Sequence, residues 1–388
     1  MDGLLTRGVT TIVPSKNELE KALKSGKKLN IYFGIDPTAT KIHLGHAFPL
    51  RKLQKLTDDG HNITFLIGDF TALIGDTSDK DTERPSLTPE EIKENFETYK
   101  NQASKILDFS KIQVKFNSEW LSKLSFEDIV KLTQNFSAND LISRELIKKR
   151  LESGKRVGLH EFLYPVMQGY DSYHLDTDVQ IGGADQVFNM QAGRTLQKAL
   201  RNKESFVLCT DYLLGTDGRK MSKSWGNAIW LTDEPFEMFR KVMSINDDLI
   251  KQYYLLGTNI SEDQFPSDIE ISDDPMLVKK KLAHEIVKEL HSEKAADEAL
   301  SKFEKVVQNK ELPDDIGELN VTEDTVIDEE FLINNSFAES KSEAKRLFNQ
   351  NAVSLDSQKV KSGEGFAGNS GEELVLKVGK RMVKLKVQ

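Results

Sequence analysis

Five short apolar runs separated by helical patterns constrain the fold of this chain most. All of them lie in roughly the first 225 of its 388 residues, and they read KLNIYFGID, NITFLIGDF, KIQVKF, DVQIGG and SFVLCTDYLL. Strands that alternate with helical segments are typical of a parallel sheet covered by helices. We therefore predict an α/β domain with a parallel sheet over residues 1–228.

Helical periodicity and charge divide the rest of the chain. A long helical stretch between the third and fourth strands predicts a helical insertion at about 118–160, and an α-helical domain is predicted over 229–307. Residues 308–330 hold nine acidic residues and one lysine, which predicts a solvated acidic linker. Residues 331–388 hold ten basic and six acidic residues and predict a small basic α+β domain.

Composition excludes several classes of protein. With 38% hydrophobic and 30% charged residues, the chain is typical of a soluble globular protein, and no run is long enough to span a bilayer. The first residues, MDGLLTRGVT, lack the pattern of a secretory signal. A single cysteine, Cys209, excludes an internal disulfide and a multi-cysteine zinc site. We expect a cytoplasmic protein with no membrane segment and no metal site.

The first strand leads into GIDPTATKIHLGHAF. No GxGxxG motif follows that strand, so a dinucleotide fold loses its main support. His43, Gly45 and His46 lie instead where a loop enters a helix, downstream of Thr38. The start of a helix favours phosphate, and imidazoles there can donate to phosphate oxygens. A metal-binding pair and ordinary packing remain alternatives, although no cysteine or carboxylate lies at ligand spacing.

A second stretch, GRKMSKSWGN, concentrates cations in a chain of net charge −9. Arg219, Lys220 and Lys223 lie within ten residues that contain Gly218 and Gly226. Cations on a glycine-flanked loop can neutralise charge that develops in a phosphoryl transition state. The alternative is a solvated surface loop.

A third stretch reads FLYPVMQGYDSYHLDTDVQIGGADQVFN. Tyr164, Gln168 and Asp171 fall at i, i+4 and i+7, on one face of a helix. Apolar neighbours suggest that this face is buried, and buried polar groups need partners that a polar ligand can supply. A solvent-facing stripe is the alternative. Gly183 permits a close approach of backbone to a ligand, and Asp185 is placed for ribose hydroxyls.

HxGH after the first strand and KMSKS after the last together resemble the class I aminoacyl-tRNA synthetases. The third stretch resembles the tyrosyl-tRNA synthetases, and this resemblance covers nearly the whole chain. It implies a Rossmann-like catalytic domain and a ligase that uses ATP with Mg²⁺, without a tightly bound cofactor, to join L-tyrosine to tRNA(Tyr) through tyrosyl-AMP. It also implies a homodimer, with part of the interface in the insertion around Phe126 to Glu152. Tryptophanyl-tRNA synthetase and a catalytically inactive RNA-binding paralogue are the alternatives.

The same resemblance assigns roles to individual residues. Tyr32 and Asp171 bond the tyrosine hydroxyl. The residues that bind tyrosine are Tyr32, Asp36, Asp76, Tyr164, Gln168, Asp171 and Gln186. The residues that bind ATP are Thr38, His43, Gly45, His46, Gly183, Asp185, Lys220, Met221 and Lys223. Those with a catalytic role are Thr38, His43, His46, Lys220 and Lys223, and pyrophosphate also meets Lys80 and Arg84.

The end of the chain, FAESKSEAKRLFNQNAVSLDSQKV, resembles the S4 RNA-binding module. LVLKVGKRMVKLKV supplies a basic hairpin that contains Lys380 and Arg381. Asn351 stands where this module usually has glycine, and we expect it to adopt a left-handed conformation. The resemblance implies an anticodon-binding role for 229–307 and RNA contacts from Lys341, Lys345 and Arg346. A solvated amphipathic helix is the alternative.

Overall fold

The computed structural model describes residues 3–37, 40–74, 88–221, 225–308, 317–356, 358–365, 370–379 and 381–388. The chain forms two compact units, Met1–Ser301 and Lys302–Gln388, and each is described by itself. None of the helices in the described ranges is both long and apolar enough to cross a bilayer.

A sheet forms the centre of the first unit, and six strands contribute to it in the described residues. They are β1 (Val9–Val13), β2 (Asn30–Ile35), β3 (Asn62–Ile67), β4 (Gln113–Phe116), β5 (Val179–Gly183) and β6 (Phe206–Thr210). Their order is β1-β6-β5-β2-β3-β4, and β2 to β6 are parallel. The predicted α/β fold and its five strands are confirmed. The prediction missed β1, which pairs antiparallel with β6 at the edge; it is only partly buried, so its apolar pattern is weak.

Helices surround this sheet and continue beyond it. They are α1 (Lys16–Lys24), α2 (Leu44–Asp58), α3 (Asp69–Ala72), α4 (Pro89–Ala103), α5 (Ser118–Leu121), α6 (Phe126–Thr133), α7 (Ala138–Ile142), α8 (Glu145–Glu152), α9 (Leu159–His174), α10 (Val187–Arg201), α11 (Pro235–Met243), α12 (Ile250–Gly257), α13 (Asp268–Asp273), α14 (Pro275–Leu290) and α15 (Glu293–Phe303). Helices α5 to α8 stand where the sequence predicts an insertion.

Two arginines bond to the end of α12, and one of them, Arg51, ties it to α2. Arg51 of α2 donates to the carbonyl oxygen of Gly257 at 2.9 Å and to the carboxylate of Glu289 at 2.8 Å. Arg7 donates to the carbonyl oxygens of Tyr254 and Thr258 at 2.9 and 2.8 Å. The last carbonyls of a helix have no partner within it, so these bonds cap α12. The bonds of Arg51 also hold in place the helix that begins with the histidine pair.

The second unit is a small α+β domain. Its strands are β7 (Gly317–Val321), β8 (Val326–Ile327), β9 (Val353–Leu355), β10 (Gln358–Lys359), β11 (Glu364–Gly365), β12 (Glu373–Val378) and β13 (Arg381–Val387), and its helices are α16 (Glu329–Asn334) and α17 (Lys341–Asn349). The hairpin of β12 and β13 matches the predicted basic hairpin, and β7 pairs parallel with β13. Asn351 has a φ of 52°, which confirms its left-handed conformation.

The structure differs from the predicted acidic linker over residues 308–330. From Gly317 onward this segment is folded, because β7 adds to the sheet and α16 begins at Glu329. Val321 and Ile327 are buried in the core of the second unit. The high acidic count concealed this short alternation of apolar residues, which is enough to form an edge strand when a partner strand is available.

Candidate active site

The predicted site residues converge at the carboxyl ends of β2 and β5, which are neighbours in the sheet. Asp36 follows β2, α2 begins soon after it, and the turn from Ala184 to Gln186 follows β5. The helix α9 brings a face of polar residues to the same edge. Ligands of open α/β sheets bind in the crevice at this edge.

Asp171 is the most enclosed acidic group of the site. It is 2% exposed, and its two oxygens accept hydrogen bonds from Trp120 Nε1 at 2.7 Å and from Asn117 Nδ2 at 3.1 Å. Burial raises the pKa of its carboxyl to about 8, against these two bonds, which lower it. Asp171 is therefore a fixed, desolvated hydrogen-bonding group that a phenol hydroxyl can meet.

Tyr32 lies beside this carboxyl and is also buried. Its hydroxyl donates to Gln180 Oε1 at 3.0 Å, and Gln180 Nε2 donates to the carbonyl oxygen of Met190 at 2.9 Å. Burial first, and then the charge of Asp171, raises the pKa of Tyr32 well above its usual value. The phenol group of Tyr32 therefore stays neutral, and its hydrogen bond to Gln180 sets its orientation.

A chain of hydrogen bonds extends from this pair towards Asp36. Tyr164 donates to Asp36 Oδ2 at 2.7 Å, and Thr71 Oγ1 donates to Asp36 Oδ1 at 2.8 Å. Asn117 Nδ2 in turn donates to Thr71 Oγ1 at 3.0 Å and to Asp171. The two carboxyl groups thus belong to one network, which joins the end of β2 to α9.

Two glycines allow this close packing. A Cβ on Gly68 would lie 2.0 Å from Asp36 Oδ1 and 2.4 Å from Thr71 Oγ1. A Cβ on Gly183 would lie 2.5 Å from Asp185 Oδ1. Real atoms do not approach so closely, so any larger residue would displace the carboxylates.

Sequence reasoning missed several residues of this network: Gly68, Thr71, Asn117, Trp120 and Gln180. A usable signal existed for Asn117, because it directly follows KIQVKF and therefore stands at the carboxyl end of a parallel strand. Gln180 lies within a buried strand, where a polar residue needs a partner. The others carry no local pattern that separates them from packing residues.

His43 and His46 lie together at the start of α2, with ring centroids 3.9 Å apart. Both Nδ1 atoms are buried, and within the described ranges neither has a hydrogen-bond partner. Burial lowers the pKa of His46 to about 4 and that of His43 well below its usual value, and Lys220 lowers both further. Both imidazoles are therefore neutral near pH 7, so they offer hydrogen bonds rather than positive charge.

Lys220 completes the polar end of the site. Its Nζ lies 3.7 Å from Asp185 Oδ2, and its side chain is 48% exposed. Met221 beside it is buried. Gly45 keeps the first turn of α2 narrow, since a Cβ there would lie 3.0 Å from His43 Nδ1. The structure thus brings Lys220 and Asp185 together near the histidine pair.

The remaining predicted residues fall into three groups. Gln168 is half-buried on α9, and Gln186 Oε1 accepts a hydrogen bond from Asn189 Nδ2 at 3.0 Å. In the second unit, α17 exposes Lys341, Lys345 and Arg346. The residues that lie outside the described part of the chain are Thr38, Asp76, Lys80, Arg84, Lys223 and Lys380.

Known proteins are similar to this chain in sequence and in fold. The family model "tRNA synthetases class I (W and Y)" matches residues 24–308. "Tyrosine--tRNA ligase 2" of Vibrio vulnificus is 42% identical over 97% of this chain and 95% of its own length. "Tyrosine--tRNA ligase" of Dehalococcoides mccartyi is 41% identical over 98% and 97%.

A solved structure shows the same architecture. The C-terminally truncated mitochondrial tyrosyl-tRNA synthetase of Coccidioides posadasii has a TM-score of 0.61 and 23% identity, and the match covers 78% of this chain and 92% of that one. At this identity the match supports the fold, whereas the curated relatives and the family model support the family. The chain therefore belongs to the class I tRNA synthetases, and within them to the tyrosine–tRNA ligases.

Proposed function

We infer that this chain is an active tyrosine–tRNA ligase, which forms tyrosyl-AMP and pyrophosphate from tyrosine and ATP and then transfers tyrosine to the 3′ end of tRNA(Tyr). One observation carries this inference. A buried, prearranged pair, Tyr32 and Asp171, lies on the sheet edge that also carries the histidine pair and Lys220. The pair suits a phenol, and the other three residues suit a triphosphate.

The tyrosine hydroxyl binds between Tyr32 and Asp171 in this proposal. Trp120 and Asn117 each use one lone pair of the Asp171 oxygens, and a carboxyl group keeps further hydrogen-bonding capacity. Phenylalanine would enter the same space without satisfying these groups. Leaving buried polar groups without partners costs about 1–3 kcal/mol each, so the pocket favours tyrosine.

The amino group of the substrate binds towards Asp36, Tyr164 and Gln168. Support comes from the bond between Tyr164 and Asp36, which places a carboxylate beside the i, i+4, i+7 face of α9. An ammonium ion is stabilised by such a group when both are shielded from water. Asp76 takes part in the same contact by family resemblance, and Gln186 lies near the reacting carboxylate.

Catalysis relies on positioning and on charge. The substrate carboxylate attacks the α-phosphorus of ATP, and the bond to pyrophosphate breaks as the new P–O bond forms. Lys220, together with Lys223, neutralises the negative charge that moves onto the departing pyrophosphate. The neutral imidazoles of His43 and His46 donate hydrogen bonds to the nucleotide, as does Thr38. No protein base is needed, because the carboxylate is already ionised.

ATP binds as a substrate, with its adenosine towards Gly183 and Asp185 and with Gly45 and Met221 lining the phosphate side. We propose that Mg²⁺ enters as part of the nucleotide substrate. The described residues contain no group of three or more histidine, cysteine or acidic side chains that could hold a metal ion. Oxygen atoms of the phosphates are the ligands Mg²⁺ prefers at such sites.

The tRNA is held outside the Rossmann-like domain (residues 1–228). We propose that the helical region 229–307 binds the anticodon arm and that α17 binds RNA phosphates through its exposed cations. Replacing Lys341, Lys345 and Arg346 together with alanine should weaken tRNA binding and flatten its salt dependence. Pyrophosphate exchange should not change. Alanine at two exposed lysines outside both regions, Lys24 and Lys27, provides the matched control.

The active form is a homodimer in this proposal. The insertion and the start of α9 expose large apolar side chains. Phe126 is 80% exposed and Leu159 is 79% exposed. The other exposed apolar residues of this region are Val130, Ile142 and Leu151. A cluster of this kind is typical of a protein interface. Aspartate at Phe126 and Leu159 should shift sedimentation from a dimer to the 43.9 kDa chain. A dimer that survives both changes would place the interface elsewhere.

The cytoplasm is the proposed location, since its reducing conditions suit a chain with a lone thiol. Cys209 is buried, and burial raises the pKa of its thiol to about 12. An inert thiol of this kind needs no oxidising compartment.

ATP–pyrophosphate exchange, measured with each of the twenty amino acids, tests the proposed activity most directly. Exchange should depend on tyrosine. Exchange that depends on tryptophan would make the chain a tryptophan enzyme. Exchange with none of them, by a chain that still binds tRNA, would make it an inactive RNA-binding paralogue.

A further inference from the structure

Arg219 is the one cation of GRKMSKSWGN that the proposed chemistry does not use. It directly precedes Lys220 and carries the same charge, so it is a natural candidate for a further pyrophosphate ligand. The contacts of its guanidinium group favour a different role.

The guanidinium group is held on the protein side by two neighbours. Its Nε and Nη2 donate to the same oxygen of Asp217, at 2.8 and 2.5 Å. Its central carbon lies over the ring of Trp225, 4.5 Å from the ring centroid. A planar guanidinium suits both contacts at once, which an ammonium ion does not.

Asp217 connects this arginine to the far side of the segment. Its second oxygen accepts a hydrogen bond from Asn227 Nδ2 at 2.8 Å, and the same amide lies 3.2 Å from the carbonyl oxygen of Lys220. The Asn227 bond first, and then Arg219, lowers the pKa of Asp217 to about 2. The carboxylate therefore stays charged and joins residues before and after the catalytic lysine.

The backbone supports the same closure. The amide of Gly215 donates to the carbonyl oxygen of Arg219 at 2.7 Å, and the amide of Thr216 donates to that of Asn227 at 3.0 Å. Gly218 and Gly226 have φ values of 83° and 66°, which other residues rarely adopt. The two ends of the segment thus lie together, and Lys220 projects from the joined base.

We propose that Arg219 is a positioning residue: with Asp217 and Trp225 it forms a clasp that closes the base of this segment and directs Lys220 towards the phosphate side of the site. The proposal rests on the proposed function for its kinetic consequence. Arg219 and Trp225 are about half exposed, and exposed pairs of this kind contribute modestly. We therefore expect an effect on rate rather than on folding.

Two explanations of Arg219 predict different results for its partners. If the clasp directs Lys220, then Arg219→Met, Asp217→Asn and Trp225→Leu should each lower kcat for tyrosine-dependent pyrophosphate exchange by about fivefold. The KM for tyrosine should not change. The double variant Arg219→Met/Trp225→Leu should be no slower than the slower single variant, because the residues act as one unit.

A direct phosphate ligand gives the opposite pattern. Arg219→Met would raise the KM for pyrophosphate, while Asp217→Asn and Trp225→Leu would be neutral or faster, since they release the guanidinium group. That result would overturn the proposal. Arg201→Met is the matched control: Arg201 also lies over an aromatic ring, Tyr173, at 4.4 Å, with Asp176 at 3.8 Å, and its loss should not change exchange.

Limited trypsin cleavage tests the clasp without relying on activity. Asp217→Asn and Trp225→Leu retain the cleavage sites at Lys220 and Lys223, so an opened clasp should speed cleavage there by several-fold. Equal cleavage in wild type and in both variants would overturn the clasp. An inactive wild-type chain with faster cleavage in the variants would instead overturn the proposed function and leave the clasp standing.

Discussion

The two ends of the candidate site are built in opposite ways. At the phenol end Asp171 is 2% exposed, and two side chains donate to it. At the phosphate end Lys220 is 48% exposed, and two histidine Nδ1 atoms lack hydrogen-bond partners among the described residues. The side chains of one end are held in place before any ligand arrives, whereas the other end offers groups that a ligand would hold.

This difference follows from what each end has to recognise. A phenol hydroxyl is the same in the ground state and in the transition state, so a rigid, desolvated acceptor can select it from the start. The charge on pyrophosphate grows only during the reaction. Groups that stabilise it contribute to the rate when they bind the transition state more tightly than the substrate. We therefore expect changes at the phenol end to alter affinity and specificity, and changes at the phosphate end to alter rate.

Lys220→Ala is the strongest test of this division. Loss of the ammonium group should lower the rate of tyrosyl-AMP formation by about 10²–10³-fold, the usual size for one electrostatic contact to a transition state. The dissociation constant of tyrosine, measured by equilibrium dialysis, should change less than twofold. Lys24→Ala, at an exposed lysine of α1, is the control. Equal losses of rate and tyrosine affinity would remove the distinction between the two ends.

Asp171→Ala tests the other end. The hydroxyl of tyrosine would lose its buried acceptor, and the preference for tyrosine over phenylalanine in exchange should fall by about 10²-fold, as expected for a lost bond to a charged or strongly polar group. Gln191, on α10 and outside the pocket network, serves for a matched Gln191→Ala control. An unchanged preference in a folded variant would mean that the hydroxyl binds elsewhere.

The sequence identified the ends of the site better than its interior. Lys220, the histidine pair and the face of α9 belong to local patterns, since each depends on residues that lie within a few positions of one another. Asn117 and Trp120 reach Asp171 from more than fifty residues away, and such contacts depend on how β4 and α9 pack. A motif of a few neighbouring residues therefore cannot predict these contacts with Asp171.

The strands of the fold also differ in how well the sequence predicts them. Buried parallel strands are continuous apolar runs, so β2, β3, β5 and β6 could be predicted. Strand β4 lies at an edge and is only partly buried, but its run KIQVKF still alternates apolar and polar residues. The edge strands β1 and β7 are half exposed and contain polar or acidic residues, so their pairing is visible only in three dimensions. The acidic count over residues 308–330 described the charge of the segment correctly but not its structure.

The pH dependence of stability gives a measure of how strongly the phenol end is desolvated. Asp171 keeps its proton to about pH 8 in the folded chain, whereas in the unfolded chain it releases it near pH 4. Between these values the folded state binds more protons, so this group's contribution to the free energy of unfolding falls as pH rises. Asp171→Asn removes the titration, and its stability relative to wild type should increase by about 3.5 kcal/mol from pH 5 to pH 8.

Urea unfolding followed by tryptophan fluorescence measures this difference. All three tryptophans, Trp120, Trp225 and Trp230, lie in the first unit, so the signal reports on the unit that contains Asp171. Asparagine also places a second donor near Trp120 or Asn117, but that cost does not depend on pH. Asp140→Asn, at an exposed carboxylate, is the control. A constant difference across this pH range would mean that Asp171 is ionised in the folded chain.

Trp120→Phe is the mildest change, and it tests whether the phenol end affects tyrosine affinity without affecting rate. It removes one hydrogen bond to Asp171, of 2.7 Å, while it keeps an aromatic ring beside His174, whose ring centroid lies 4.4 Å away. Loss of one such bond costs about 1 kcal/mol, so tyrosine affinity should fall about fivefold. The rate of tyrosyl-AMP formation at saturating tyrosine should not change, because the indole bonds to Asp171 at the phenol end. His174→Leu removes the ring contact and keeps the hydrogen bond, and it should leave affinity nearly unaltered. A slower rate in Trp120→Phe at saturating tyrosine would show that the phenol end also positions the reacting carboxylate, and the two ends would then act as one.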